Sequence, residues 1–236
     1  MPAQQTAIIT GAAGGIGSGL VEGFLNAGYN VVATSLNTTR SLTGSPSLVL
    51  IDGDLSKPET AAQVAEAAIQ RFRSIDVLVN NAGIFRTKPF IDFTSDDLDA
   101  LVSTNLRGFL FITQLAVRQM LRQGTGHIVQ ISTSLADHAD STIPAVLASL
   151  TKGGLQSATR ALAIEYASRG IRSNAVALGV IRTPMHPETS APLAALHPLG
   201  RMGEVGDVVD AIVFLENATF VTGEILHVDG GQSAGH

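Results

Sequence analysis

The sequence contains no cysteine and no tryptophan. It has two tyrosines in 236 residues, and charged side chains make up only 15% of it. Without cysteine there can be no disulfide and no thiolate metal site. A reducing compartment is compatible with that, and a cytoplasmic protein is expected. A basic surplus is missing as well: the formal net charge is −5. That argues against nucleic acid or an anionic membrane as partner, since both call for a basic patch. No uninterrupted apolar run approaches the ~18–20 residues of a membrane span. The opening MPAQQTAIIT lacks the charged and apolar regions of a signal peptide. No histidine–acid spacing resembles a metal site. What the chain has is apolar material, 45% of its residues, enough for the core of one domain over residues 1–236.

Short β-rich runs recur at Thr6–Thr10, Asn30–Thr34, Leu48–Ile51, Asp76–Val79, His127–Ser132, Ile171–Ala177 and Glu224–Val228. Between most of them apolar residues repeat at helical spacing, over Gly17–Ala27, Glu59–Phe72, Asp96–Gln123, Ile143–Ser168 and Val205–Glu216. This alternation predicts an α/β fold: a single doubly wound, Rossmann-type domain with a seven-stranded parallel sheet flanked by helices. The polar stretch 36–47 predicts a crossover with little helix. Residues 183–200 carry prolines and no strand period, which predicts a substrate lid.

The first strand runs into Gly11-Ala12-Ala13-Gly14-Gly15-Ile16-Gly17, and a helix follows. Glycines there permit positive φ and close backbone approach, and the helix start offers free N–H groups to a pyrophosphate. Later strands end in further polar signals. Asp54 follows the third strand, where its carboxylate is either an adenine contact or a turn residue. Asn80-Asn81-Ala82-Gly83 ends the fourth. Asn105 sits inside a helical stretch, an unfavourable place that suggests a specific hydrogen-bonding task.

Together these motifs resemble the short-chain dehydrogenase/reductase family over nearly the whole chain. The resemblance extends through Ile128-Val129-Gln130-Ile131-Ser132, Thr151-Lys152-Gly153-Gly154, Asn174-Ala175-Val176-Ala177, Gly179-Val180-Ile181-Arg182-Thr183, Val221-Thr222-Gly223 and Val228-Asp229-Gly230-Gly231. It implies an NAD(P)-dependent oxidoreductase acting on a small carbonyl or alcohol compound. The cofactor contacts it implies are Gly11, Gly15, Ile16, Gly17, Ser35, Asp54, Leu55, Asn81, Ala82, Gly83, Lys152, Ile181 and Thr183. The catalytic set it implies is Asn105, a serine and Lys152. A homotetramer is expected from the long helices and the last strand.

One position departs from the family pattern. Four residues before the active-site lysine the family has a tyrosine that exchanges a proton with the substrate oxygen. Here that residue is Ala148. The serine is also ambiguous: the family spacing counted back from Lys152 falls on Leu135, and a small insertion in 135–145 would fit Ser134, which is preferred over Ser132. His138, between Asp137 and Asp140, is the first candidate for a replacement acid. Ser149, His186 and His197 are lesser ones. No acid ends the second strand at Ser35-Leu36-Asn37 to disfavour NADP, and Arg40 is the only basic residue nearby, so NAD and NADP both stay open. An oxidoreductase with a non-tyrosine proton route is favoured. The alternatives are a catalytically impaired NAD(P)-binding relative serving as sensor or assembly subunit, and an interaction protein with a vestigial site.

Overall fold

The computed structural model describes residues 4–184 and 191–235. Seven strands, β1 (Thr6–Thr10), β2 (Asn30–Ser35), β3 (Leu48–Asp52), β4 (Val77–Asn80), β5 (Gly126–Thr133), β6 (Ile171–Leu178) and β7 (Ile225–Val228), form one sheet. Their order is β3-β2-β1-β4-β5-β6-β7 and every pairing is parallel. The doubly wound, seven-stranded parallel sheet expected from the alternation is the one present. The chain reverses its winding between β1 and β4, so the crevice above their carboxyl ends is where such a fold places a ligand.

Helices cover both faces, which explains why the strands are apolar on both sides. Alternate residues such as Ile9, Val31, Val79 and Val129 pack toward α1 (Ile16–Asn26) and α8 (Val205–Asn217). Their neighbours Ile8, Val32, Leu78 and Ile128 pack with α3 (Pro58–Phe72) and α5 (Gly108–Gln123). The long α6 (Val146–Tyr166) lies against β5 and β6.

Two expectations need correction. The stretch read as one helix, Asp96–Gln123, begins with α4 (Ser95–Leu101), whose Thr94 and Asp97 form a reciprocal cap. It then passes through a π-helical turn, Val102–Arg107, before α5. Periodicity of apolar residues cannot register one extra residue in a turn. The continuous helical stretch Ser95–Gln123 is also long and apolar enough to cross a bilayer by length and composition, although no uninterrupted apolar run marks it. Its Ile112, Ala116, Val117 and Met120 are buried against the sheet. Finally, α6 starts at Val146 rather than Ile143, because Pro144 disfavours helical geometry in the residue before it. The crossover after β2 holds the four-residue α2 (Thr38–Ser41), and the stretch 183–200 contains the short α7 (Ala191–Ala195).

Candidate active site

A cleft of about 670 Å³ opens above the carboxyl ends of the central strands. Its floor begins with the loop between β1 and α1. Gly15 precedes α1 with φ +55°, a conformation a side chain would strain. A Cβ on Gly17 would lie 2.0 Å from the Gly11 carbonyl oxygen, so glycine is required where the helix turns back on the loop. α1 has no side-chain cap and no acid in its first turn. Its leading N–H groups thus lack the partners a helix start usually recruits, and an anion would complete them. The loop fits a dinucleotide's pyrophosphate on these grounds.

Asn81 fixes that loop to the end of β4. Its side-chain nitrogen donates to the Thr10 and Gly11 carbonyls at 2.9 and 3.1 Å. The Thr10 hydroxyl accepts the Asn81 and Ala82 N–H groups and donates to the Val79 carbonyl. Across the cleft, Ile181 bridges to Gly203, which holds Thr183 so that its side chain comes within 3.3 Å of the place a Gly15 Cβ would occupy. The expected cofactor residues Gly11, Gly15, Ile16, Gly17, Asn81, Ala82, Gly83, Lys152, Ile181 and Thr183 all line the cleft.

The other three do not. Ser35 shares a hydrogen bond with Thr38. Asp54 is exposed and accepts the Ser56 N–H in a turn. Leu55 is buried in the core beside Gly108.

Asn105 lies on the π-helical turn, buried behind the cleft. Its oxygen accepts the Ile84 N–H at 2.8 Å, and its nitrogen donates to the Ile84 carbonyl and the Thr151 hydroxyl. It ties the strand-end loop to α6 and is not among the residues that line the cleft. A Cβ on Gly83 would meet its oxygen at 3.2 Å and lie 3.8 Å from the Lys152 nitrogen, which shows how tightly this corner is built.

Lys152 is the only titratable side chain among the described residues that line the cleft. Its ammonium donates to the Ile131 carbonyl at 3.4 Å, and burial pushes it down to about 8. Three consecutive hydroxyls end β5. That of Ser132 donates to the Lys152 carbonyl, and that of Ser134 to the Leu178 carbonyl and the Gln232 side chain. Both preferred serines are therefore engaged in holding the cleft together. Thr133, between them, also lines the cleft, accepts the Leu135 N–H, and gives its hydroxyl hydrogen to no partner among the described residues. All three hydroxyl residues line the cleft, and what sets Thr133 apart is that the two serines give their hydrogens to protein acceptors.

Ala148 is fully buried and clusters with Leu135 and Ala145, with Phe85 and Ile143 packed against them. Leu135, Phe85 and Ile143 line the cleft; Ala148 sits behind that apolar wall. His138 is exposed on the loop after β5 and does not line the cleft, because a 3₁₀ turn over Ser134–Ala136 carries the chain outward first. Ser149 donates to the Leu135 carbonyl and also points away. His197 is 2% exposed and accepts the Val180 N–H through Nε2; it wedges beside Gly179 and Gly230. Of the stretch 183–200 expected to form a lid, Thr183, Pro184 and Leu193 line the cleft, while Met185 and His186 lie outside the described residues. Gln232, from the turn after β7, completes the wall; it directly follows the Val228-Asp229-Gly230-Gly231 motif but was not itself singled out.

A family model described as enoyl-(acyl carrier protein) reductase matches residues 11–233. The chain is 35% identical to the 2-dehydro-3-deoxy-D-gluconate 5-dehydrogenase of Bacillus subtilis, over 96% of this chain and 94% of that one. Its structure superposes on ElxO with NADP bound at a TM-score of 0.91 and 27% identity, covering 98% of this chain and 100% of the other. It superposes equally well, at 0.91 and 29% identity, on a 3-ketoacyl-(acyl-carrier-protein) reductase from Brucella melitensis complexed with NADH, covering 97% and 98%.

Proposed function

Because the chain belongs to the short-chain dehydrogenase/reductase family, we propose that it is an NAD(P)-dependent oxidoreductase acting on a small carbonyl or alcohol compound by a proton route that uses no tyrosine. One observation carries this reading: a glycine-rich cradle fitted to a pyrophosphate opens into a cleft whose single titratable group, among the described residues, is Lys152. The alternative of an impaired sensor or assembly subunit is not favoured, since relatives matching along nearly the full chain are named as dehydrogenases and reductases.

Bound in the cleft, the nicotinamide would supply or accept a hydride. Gly11, Gly15 and Gly17 with the start of α1 would hold the pyrophosphate. Asn81 keeps the loop in place. Among the described residues, Lys152 is the one lining side chain able to hold a charged proton beside the substrate oxygen, and the Thr133 hydroxyl can donate to that oxygen. Ile84, Phe85, Leu135 and Leu178 exclude water around them. Calorimetry with NADH and with NADPH, followed by a carbonyl panel read at the reduced-nicotinamide band, tests the reading. Binding of either cofactor with turnover that falls in Lys152→Ala supports it. Absence of binding to both overturns it.

A further inference from the structure

His197 is a buried ionisable side chain that the proposed chemistry does not use. It is 2% exposed and sits in the turn after α7, where its backbone N–H donates to the Ala194 carbonyl and its carbonyl accepts the Gly200 N–H. The imidazole fills a slot between two glycines. A Cβ on Gly179 would lie 2.6 Å from its Nε2, and one on Gly230 would lie 3.0 Å from its Cβ. The Gly230 carbonyl in turn accepts the Leu199 N–H. The ring is therefore held by the end of β6, by the turn after β7 and by its own backbone.

One hydrogen bond fixes its protonation state. The Val180 N–H donates to Nε2 at 3.0 Å. A backbone N–H can only donate, so Nε2 carries no hydrogen, and the hydrogen of the neutral ring is on Nδ1. Nδ1 is buried without a hydrogen-bond partner among the described residues, so nothing there compensates the ring for losing the Val180 bond.

That bond lies on the wall of the cleft, which Gly179, Val180, Ile181 and Thr183 all line. Three N–H groups anchor this segment. Gly179 donates to the Val228 carbonyl, Arg182 to the Gly203 carbonyl and Val180 to His197. The first two acceptors are backbone carbonyls and do not titrate. The third is a histidine, a side chain whose charge ordinarily changes between about pH 5 and 8. A second proton on the ring would go to Nε2 and set one donor against another, so that proton and the Val180 bond exclude each other. On the segments packed against the ring, 179–180 and 229–231, the one ionisable side chain is Asp229, and its carboxylate accepts the Gly231 and Ser233 N–H groups. The ring's own segment, 191–200, has no other ionisable side chain.

Resting on the oxidoreductase reading above, we propose that His197 is a positioning residue for the dinucleotide: its neutral imidazole holds the wall 179–183 in the form that binds the cofactor, and protonating the ring releases wall and cofactor together. Linkage runs both ways, so bound cofactor keeps the ring neutral.

NAD⁺ and NADP⁺ are titrated calorimetrically at pH 7.5 and at pH 5.5 into the parent, His197→Gln and His197→Leu. Glutamine keeps an acceptor in the slot and does not titrate; leucine offers none. At pH 7.5 His197→Gln should bind as the parent does, and His197→Leu should bind at least ~5-fold more weakly, because the Val180 N–H is left unpaired. On going to pH 5.5 the parent should lose at least ~5-fold more affinity than His197→Gln. Every other histidine titrates in both proteins, so this difference belongs to residue 197. Amide exchange in the parent reads the same device when neither variant folds: the Val180 protection factor should fall from pH 7.5 to 5.5, and bound cofactor should suppress the fall. Equal losses of affinity in parent and His197→Gln overturn the proposal and leave the oxidoreductase reading standing. So does parent-like binding by His197→Leu, or a Val180 amide equally protected at both pH values. Failure of both cofactors to bind the parent at either pH overturns both readings.

Discussion

Lys152 places a charge in a wall that offers its ammonium a single long hydrogen bond, to the Ile131 carbonyl. Desolvation lowers it from 10.5 to about 8. Below pH 8 it is protonated in folded and unfolded states alike, and folding bears the full penalty of burying the charge. Between 8 and 10.5 the folded protein releases a proton that the unfolded chain keeps, so stability rises with pH in that window. Lys152→Met should therefore be more stable than the parent at pH 7, by on the order of 1 kcal/mol, with the gap closing toward pH 10. Urea titrations of both proteins from pH 7 to 10 check this; a parent that outlasts Lys152→Met at pH 7 would show that the ammonium has partners compensating its burial. Lys152, like Gly11, Gly15 and Asn81, was legible in the sequence, because helix position or backbone conformation dictates its residue type. Thr133 was not. Ser132, Thr133 and Ser134 all line the cleft, and which of their hydroxyls keeps its hydrogen undonated depends on acceptors contributed by residues 152, 178 and 232, far along the chain.

At the level of elements, α1 is positioned by α8 through two glycines. A Cβ on Gly19 would lie 2.2 Å from a Val205 methyl, and one on Gly23 would lie 2.5 Å from a Val209 methyl. Gly19→Ala should destabilise the protein by ~1–3 kcal/mol through overpacking. It should also weaken dinucleotide affinity, since displacing α1 moves the N–H groups that face the pyrophosphate. In a Val205→Ala background the same change should become neutral or stabilising, as alanine favours helix over glycine by ~1 kcal/mol. A double-mutant cycle read by denaturant unfolding decides it; additive effects would mean that the helices do not meet there.

The rim of the cleft has a comparable anchor. Asp97 accepts from Lys88 at 2.6 Å and from Arg86 and caps α4 through Thr94, which pins the segment carrying Thr87. Lys88, the Thr94 N–H and Arg86 hold the Asp97 carboxyl well below the usual carboxylate range. Its contribution to stability is thus present above the unfolded carboxylate pKa of ~3.9 and is lost as pH falls further. Asp97→Asn should lower the melting temperature at pH 7 and speed amide exchange over residues 84–88, with the difference shrinking on acidification. Unchanged exchange there would dissociate the ion pairs from the rim. Neither anchor was read from the sequence: Gly19 and Gly23 lie beyond the loop motif and their partners are on the distant α8, and Asp97 bonds residues nine and eleven positions away on a loop that has no period.

For the whole molecule, the alternation of runs was enough to predict the sheet, because a strand buried on both faces must be apolar on both faces and a parallel crossover must carry a helix. Assembly is a separate matter, written in the surface. Val146, Leu150 and Ile164 lie on one stripe of α6 and are exposed, Ile164 to 84%, while Leu98 on α4 and Leu110 on α5 are also exposed. On another side Phe214 of α8 and Phe220 after it stand in solvent. Two separate apolar surfaces on one chain satisfy a dihedral assembly in which each is used for its own two-fold contact. We propose a homotetramer built on these two surfaces. Sedimentation at micromolar concentration should then give four times 24.5 kDa. Leu150→Glu combined with Ile164→Glu should halve that mass by opening one contact, and Phe214→Glu combined with Phe220→Glu should halve it by opening the other. All four changes together should give monomers. Because each pair is exposed on the isolated chain, the substitutions remove little from the core, and circular dichroism should stay that of the parent. A parent that sediments as a monomer would refute the assembly. A parent mass that either pair leaves untouched would show that the corresponding surface is not a contact.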